Sequence, residues 1–285
     1  LKSGIVFADE VNTVSKGYRN EILTPEFGFG LEGVLQEKGE RLSGILNGVD
    51  YGIWNPETDT LICANYSSED LSGKRDCKND LQKLASLPVD PAVPIVGMVS
   101  RLSSQKGVDL LLESVPSLLT ADVQLVLLGT GEAYYQKALS ELNQLYGNQI
   151  ATFLSYDYFL AHKIFAGADI LLVPSRYEPC GLNQLYALRY GTVPIVRSTG
   201  GLMDTVDEFD SETDSGTGFK FVTPAAFELE ETIKRAISLF RSDPETWQRL
   251  MVRGMKKDFS WKRSAKDYFK LYEKAIQDRQ DLLDR

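Results

Sequence analysis

The sequence predicts an α/β protein built on a Rossmann-like, doubly wound parallel sheet, with helices at its C-terminal end. Two observations predict it: short continuous Val/Ile/Leu runs recur from residue 93 onward, and amphipathic helical patterns alternate with them. A run that is apolar at every position reads as a strand buried on both faces, and helices between such strands make the sheet parallel. In order, the strands are expected at Val93–Ser100, Val123–Gly129, Ile150–Tyr156, Asp169–Ser175 and Thr192–Ser198. The helices between them are expected at Gly107–Leu119, Ala133–Tyr146, Phe159–Gly167 and Gly181–Tyr190. Ligands of such sheets bind beyond the carboxyl ends of the strands, so the residues just after each run are the candidate site.

Outside this block the pattern changes. Residues 1–48 fit no complete domain: an apolar segment (GIVFADEVNTVS), a short helix (KGYRNEIL), a Gly-rich stretch (FGFGLEG) and a strand (LSGILNG) follow one another. Residues 49–90 are polar and loop-rich, with turn signals at Asn55-Pro56 and Ser72-Gly73. From Ala225 the chain reads as helical, broken at Ser242-Asp243-Pro244, where Asp and Pro favour a new helix start. The last helix, Trp261–Arg285, has an apolar side of Ala265, Tyr268, Phe269, Leu271, Tyr272 and Ile276 at three- and four-residue intervals. The expected division is therefore 1–48, 49–257 and 258–285.

Composition bounds the function. At 43% hydrophobic and 25% charged residues the chain has the balance of an ordinary globular protein. A net charge of −9 offers no basic face for a nucleic acid. No apolar run reaches the roughly 18 residues of a membrane span. The three cysteines, Cys63, Cys77 and Cys180, are too few and scattered for a disulfide framework or zinc site, so a reducing compartment is expected. The start lacks the three regions of a signal peptide and begins without Met, as though cut from a longer chain.

Four segments carry candidate chemistry. Ser100–Gly107 (SRLSSQKG) places Arg101 and Lys106 in a loop after the first strand, where two cations either clamp a diphosphate or stand solvated. Gly129-Thr130-Gly131-Glu132 lacks the third glycine of a dinucleotide fingerprint, position 134 being Tyr, and reads as a tight strand-to-helix connection. Pro174–Gln184 (PSRYEPCGLNQ) ends a strand in a polar loop. There the backbone N–H groups of Gly181, Leu182 and Asn183 open a helix and form a potential anion site. Glu178 beside them either accepts hydrogen bonds from sugar hydroxyls or caps the helix, and Cys180 packs as a small hydrophobe. Ser198–Leu202 (STGGL) has paired glycines that allow a ligand close to the backbone or simply make a turn.

SRLSSQKG, EPCGLNQLYALRYGTVPIV and STGGLMDTV, in this order and spacing, resemble the signature blocks of the bacterial glycogen synthase and plant starch synthase family. ADEVNTVSKGYRNEI, LSGILNGVDYGIWNP and MKKDFSW extend the resemblance over nearly the whole chain. The resemblance implies the C-terminal half of a GT-B glycosyltransferase, with residues 1–48 a remnant of the N-terminal domain and hinge. It implies transfer of glucose from ADP-glucose to the non-reducing end of an α-1,4-glucan with retention, without metal ion or other cofactor. Neither nucleic acid nor membrane is expected as a partner. The location implied is cytoplasmic in a bacterium or the plastid stroma in a plant.

By position, Arg101 and Lys106 match the pair that binds the diphosphate, and Glu178 the carboxylate beside the donor glucose. Cys180, Gly181, Leu182 and Asn183 match the backbone contacts to the donor, and Thr199 and Gly200 the turn approaching phosphates and ribose. Asn47 matches a polar residue near the donor at the hinge. Tyr156, which on its own reads as a tyrosine finishing a strand, matches an aromatic that stacks on adenine. Some positions depart from the pattern. Tyr186 stands where many retaining relatives carry a second Glu, Asn183 where many bacterial enzymes have Thr, and Ser155 where Gly often precedes the stacking Tyr. The family's Lys-x-Gly-Gly loop and active-site His are not in this sequence, and the lone histidine, His162, is expected to be structural. Two other readings are an ADP- or ADP-glucose-binding module without activity and a nucleotide-dependent oxidoreductase, the latter opposed by the incomplete glycine fingerprint.

Overall fold

The computed structural model describes residues 1–283. Two short strands come first, β1 (Val11–Thr13) and β2 (Leu42–Gly44), paired parallel with each other. The main sheet follows, with β3 (Ile95–Val99), β4 (Gln124–Leu128), β5 (Ile150–Phe153), β6 (Ile170–Val173), β7 (Val193–Arg197) and β8 (Phe219–Phe221). Among the described residues these six strands lie in the order β5-β4-β3-β6-β7-β8, with every neighbouring pair parallel. This is the doubly wound order, and the crossovers reverse direction between β3 and β6.

The continuous apolar runs now have a physical account. Successive strand residues point to opposite faces. Val96, Leu125, Leu127, Ile170, Leu172 and Ile195 enter one core, with Leu111 and Val115 of helix Val108–Thr120 and Ile233 of helix Ala226–Ser242. Ile95, Val126, Leu128, Leu171 and Val196 enter the other, with Leu81, Ile164 and Phe165 from two further helices. Neither face is wet, so neither can alternate.

Three features depart from the expectations. The first is a 13-residue helix, Ser72–Leu84, inside the stretch expected to be loop. Its buried residues include Lys74, Lys78 and Gln82, so its inner face reads as polar. Lys74 Nζ donates to Ala166 O at 3.0 Å and Thr192 Oγ1 at 2.8 Å. Burial lowers its pKa to about 8, against the opposing pull of Asp169. Lys78 pairs with Asp169 at 2.8 Å. The second is β8, three residues too short to show a period. The third is the Gly-rich stretch, which joins two short helices, Pro25–Gly28 and Glu32–Gln36, with Phe29 left-handed (φ 50°) between them. The helix break near residue 243 stands as expected: Asp243 caps helix Pro244–Met255 by accepting from Thr246 N at 3.0 Å.

His162 is buried in the second core. Its Nδ1 lies 2.7 Å from Asp59 Oδ2, and its ring stacks on Trp54 at 3.9 Å. Trp54 stacks with its other face on Tyr186 at 4.0 Å, which fastens the loop after Val49 to the domain. No helix among the described residues is long and apolar enough to cross a membrane.

Residues 1–48 pack on the main domain through helix Lys16–Glu21. Gly17 N donates to Asp204 Oδ2 at 2.8 Å, and a Cβ at Gly17 would lie 2.3 Å from Gly200 O. Val49 N donates to Phe259 O at 2.7 Å, beside the start of the terminal helix. That helix runs Trp261–Leu283; positions 284 and 285 of the expected helix lie outside the described residues. Its docked side includes Ser264, Tyr268, Leu271 and Ala275, and Lys274 pairs with Glu10 at 2.9 Å. Of the expected apolar side, Phe269, Tyr272 and Ile276 are about 60% exposed (62, 62 and 59%). A helix with so little of its apolar surface covered is held weakly. In native-state hydrogen exchange, amides of 261–283 are expected to open well below the free energy that opens β6. Equal protection of both in a monomeric sample would contradict this.

Candidate functional site

The reversal between β3 and β6 opens a crevice at their carboxyl ends, because the loops on either side leave in opposite directions. A cavity of about 290 Å³ lies there, lined in part by Val99, Ser100, Lys106, Ser175, Glu178 and Asn183. The loop after β3 closes in a 3-10 turn, Ser104–Lys106, followed by Gly107 at φ 71°. A Cβ on Gly107 would sit 2.2 Å from Pro174 O. Glycine there lets the loop after β3 lie directly on the loop after β6, and Arg176 N donates to Gln105 O at 2.8 Å across the join.

This contact brings Lys106 to Glu178. The Lys106 ammonium is ion-paired with the Glu178 carboxylate, whose Oε2 also accepts from Ser175 Oγ at 2.9 Å. Glu178 is only 8% exposed, so the pair operates largely out of water. Lysine carries three N–H donors, and one carboxylate oxygen does not exhaust them. Around the pair, Arg176 is ion-paired with Asp109, and Arg197 Nε donates to Ser175 O at 3.1 Å, holding the loop from below.

The segment 180–183 turns the chain into helix Asn183–Arg189. Gly181 is left-handed (φ 72°), and the N–H groups of Gly181, Leu182 and Asn183 have no acceptor among the described residues. The Asn183 side chain donates to Val99 O at 2.5 Å, tying this helix to the end of β3. Cys180 is buried, and burial pushes its thiol up to about 11 despite the backbone N–H of Asn47 beside it. A thiol so raised stays neutral near pH 7 and is no nucleophile.

Other candidates lie around the rim. Arg101 is exposed and donates to Gln105 Oε1 at 3.0 Å. Tyr156 is 86% exposed, beyond the edge strand β5 and two strands from β3. The structure thus brings Lys106, Glu178, Cys180, Asn183 and, through its backbone, Asn47 together, and leaves Tyr156 apart. The Gly129-Thr130-Gly131 turn is a packing device: a Cβ at Gly129 would meet Ser100 O at 1.9 Å, and one at Gly131 would meet Leu102 O at 2.2 Å.

Two residues escaped the sequence reading. Ser175, two residues past the end of β6, stands in the polar loop three positions before Glu178, with nothing in its neighbourhood to single it out. Glu21 was not visible at all. Its Oε1 accepts from Thr199 Oγ1 at 2.6 Å and from Gly200 N at 2.7 Å, across 178 and 179 residues of chain. No local pattern announces such a contact.

Chemically, the crevice offers a cation, unpaired peptide N–H groups and a carboxylate within one small volume, a set suited to an anionic group attached to a hydroxylated one. Among the described residues no cluster of His, Cys, Asp or Glu side chains is placed to hold a metal ion.

Comparison with known proteins shows the family and the fold. The family described as "Glycosyl transferases group 1" matches residues 82–249, and "Starch synthase catalytic domain" matches residues 1–37. Glycogen synthase of Koribacter versatilis is 50% identical over 277 residues, covering 97% of this chain and 57% of the relative. Glycogen synthase of Lactococcus lactis is 48% identical over 273 residues, covering 96% and 57%. The chain thus spans a little over half the length of the curated relatives it matches. Among solved structures, the catalytic domain of starch synthase IV from Arabidopsis thaliana, bound to ADP and acarbose, superposes with a TM-score of 0.92. It is 37% identical, and the match covers 97% of this chain and 57% of that one. Sucrose-phosphate synthase from Thermosynechococcus elongatus, 22% identical with a TM-score of 0.66, shares the fold, over 97% of this chain and 60% of its own.

The loop packing yields one prediction. Gly200 has φ 45°, and its Cβ would lie 2.1 Å from Glu178 O. Gly200→Ala is expected to destabilise the protein by about 1–3 kcal/mol, read from the urea midpoint. An unchanged midpoint would show that the turn relaxes freely.

Proposed function

The chain belongs to the group 1 glycosyltransferases, in the company of the glycogen and starch synthases, and from this we propose that the protein is a glucan synthase. In this reading it transfers glucose from ADP-glucose to the non-reducing end of an α-1,4-glucan with retention of configuration. The observation that carries the proposal is the Lys106–Glu178 pair at the switch point, beside unpaired N–H groups of residues 181–183.

Each part has a task. Breaking the bond from the anomeric carbon to phosphate builds negative charge on the departing ADP. Lys106, with Arg101 swinging in from the rim, stabilises that charge in the transition state more than in the ground state. These cations supply the positive charge, so the reading calls for no metal ion. The N–H groups of Gly181, Leu182 and Asn183 add fixed dipoles directed at the donor. Glu178, oriented by Lys106 and Ser175, accepts hydrogen bonds from the glucose hydroxyls and fixes the sugar relative to the incoming acceptor. Tyr156 stacks on adenine at the outer end, and its exposure leaves its ring face open for that. Ligand support comes from the Arabidopsis relative, which holds ADP and acarbose.

Two measurements test this. Titration calorimetry with ADP is expected to show binding that weakens in Lys106→Ala and Tyr156→Ala; absence of binding at millimolar ADP would sink the reading. In glucose transfer by a protein that also carries the Lys-x-Gly-Gly loop, Lys106→Ala is expected to lower kcat by roughly a hundred- to a thousand-fold. Unchanged turnover with only a higher KM would instead make Lys106 a uniform binding residue.

A further inference from the structure

Two of the three cysteines meet on the flank of the domain, among residues that none of the proposed chemistry uses. Cys63 lies in the loop that leads from the stacked Trp54 to Tyr66, and it is exposed. Cys77 lies in helix Ser72–Leu84 and is buried. The Cys63 thiol donates to Cys77 Sγ with the sulfurs 3.7 Å apart, and Cys77 in turn donates to Ala64 O at 3.3 Å. A disulfide holds its sulfurs about 2.05 Å apart. Closing the gap therefore takes a movement of well under one side-chain length, in a pair already facing each other.

The two sides differ in how tightly they are packed. Cys77 is fixed: a Cβ on Gly167, in the neighbouring helix, would lie 2.6 Å from Cys77 O, so the two helices are in close backbone contact. The loop can give, because between Asp59 and Tyr66 it has no regular secondary structure. Its anchors lie at its ends. Asp59 accepts from Tyr190 Oη at 2.5 Å, and Tyr66 Oη donates to Tyr190 O at 2.8 Å. Cys180, the third cysteine, is buried next to Gly181 and pairs with neither.

We propose that Cys63 and Cys77 are a reversible redox pair that closes to an intramolecular disulfide and staples the 59–66 loop to helix Ser72–Leu84. The oxidant is a small-molecule disulfide such as oxidised glutathione. The Cys63 thiolate attacks one of its sulfurs, forming a mixed disulfide and releasing one thiol. The Cys77 thiolate then attacks the Cys63 sulfur, forming the protein disulfide and releasing the second thiol. Two electrons pass from the protein pair to the oxidant, and the two protons lost by the protein thiols end on the two released thiols. Burial and the neighbouring Cys77 raise the Cys63 pKa above the ordinary thiol value, so the thiolate is the minor form at neutral pH. The exchange should quicken about tenfold per pH unit from pH 7 to 9, where the thiolate is the minor form.

Incubation of the reduced protein with oxidised glutathione at pH 8.5 tests the proposal. The expected product is a monomer lighter by about 2 Da, with a peptide map joining Cys63 to Cys77 and Cys180 still free. Its Tm should rise by about 5 °C and fall back on reduction, because the ring constrains the unfolded chain. The exposed position makes Cys63→Ser a mild substitution, and this variant should show neither change. Retention of both thiols, a glutathione adduct that persists on Cys63, or a disulfide between two molecules would each overturn the proposal. So would loss of two thiols in Cys63→Ser.

Discussion

A sheet buried on both faces has no room for polar side chains except at the ends of its strands, and the rest of this molecule follows from that constraint. The interior of each central strand is apolar on both sides, from Val96 and Leu127 in one core to Ile95 and Val126 in the other. Gln124, a buried polar residue on a strand, sits at the first position of β4, where Gln82 Nε2 donates to its side chain at 2.8 Å. Chemistry is thereby pushed to the opposite edge, into the loops after β3, β6 and β7. The reversal of crossover direction between β3 and β6 then selects which of those loops can part to admit a ligand.

Within those loops the decisive contacts are backbone on backbone. Gly107 lies against Pro174, and Gly200 lies against Glu178, each at a separation that excludes a Cβ. These approaches fix the loops relative to one another and so bring the Lys106 ammonium to the Glu178 carboxylate. The ion pair is a product of loop packing, and its partners are otherwise 72 residues apart. Its arrangement resists drift because Ser175 also binds the carboxylate and Arg197 binds the carbonyl of Ser175.

Much of this was legible in the sequence, and the reasons are specific. Strands β3 to β7 announced themselves because burial on both faces forces unbroken apolar runs. The site loops announced themselves because Lys106, Glu178 and Gly200 each follow such a run closely. Helix Ser72–Leu84 stayed hidden because Lys74 and Lys78 bury their stems and carry their ammonium groups to carbonyl, hydroxyl and carboxylate partners, which gives a polar pattern to an inward face. Strand β8 was too short for periodicity. Glu21 was illegible because its partners come from the far side of the chain. The resemblance to a known family supplied the expected role of Tyr156, whose exposure and edge position carry no chemical signal of their own.

The contact made by Glu21 has a thermodynamic consequence. Its Oε1 takes both the Thr199 hydroxyl and the Gly200 N–H, while its Oε2 is buried with no hydrogen-bond partner among the described residues. A peptide N–H has a single proton to share. In the proposed reading, a phosphate oxygen arriving at that turn competes with a carboxylate of the same charge sign, which its own field repels. Such competition is symmetrical: the factor by which seated Glu21 weakens the anion is the factor by which the anion weakens the seating of helix Lys16–Glu21. In that reading, loosening of the N-terminal segment and occupation of the turn are two views of one equilibrium.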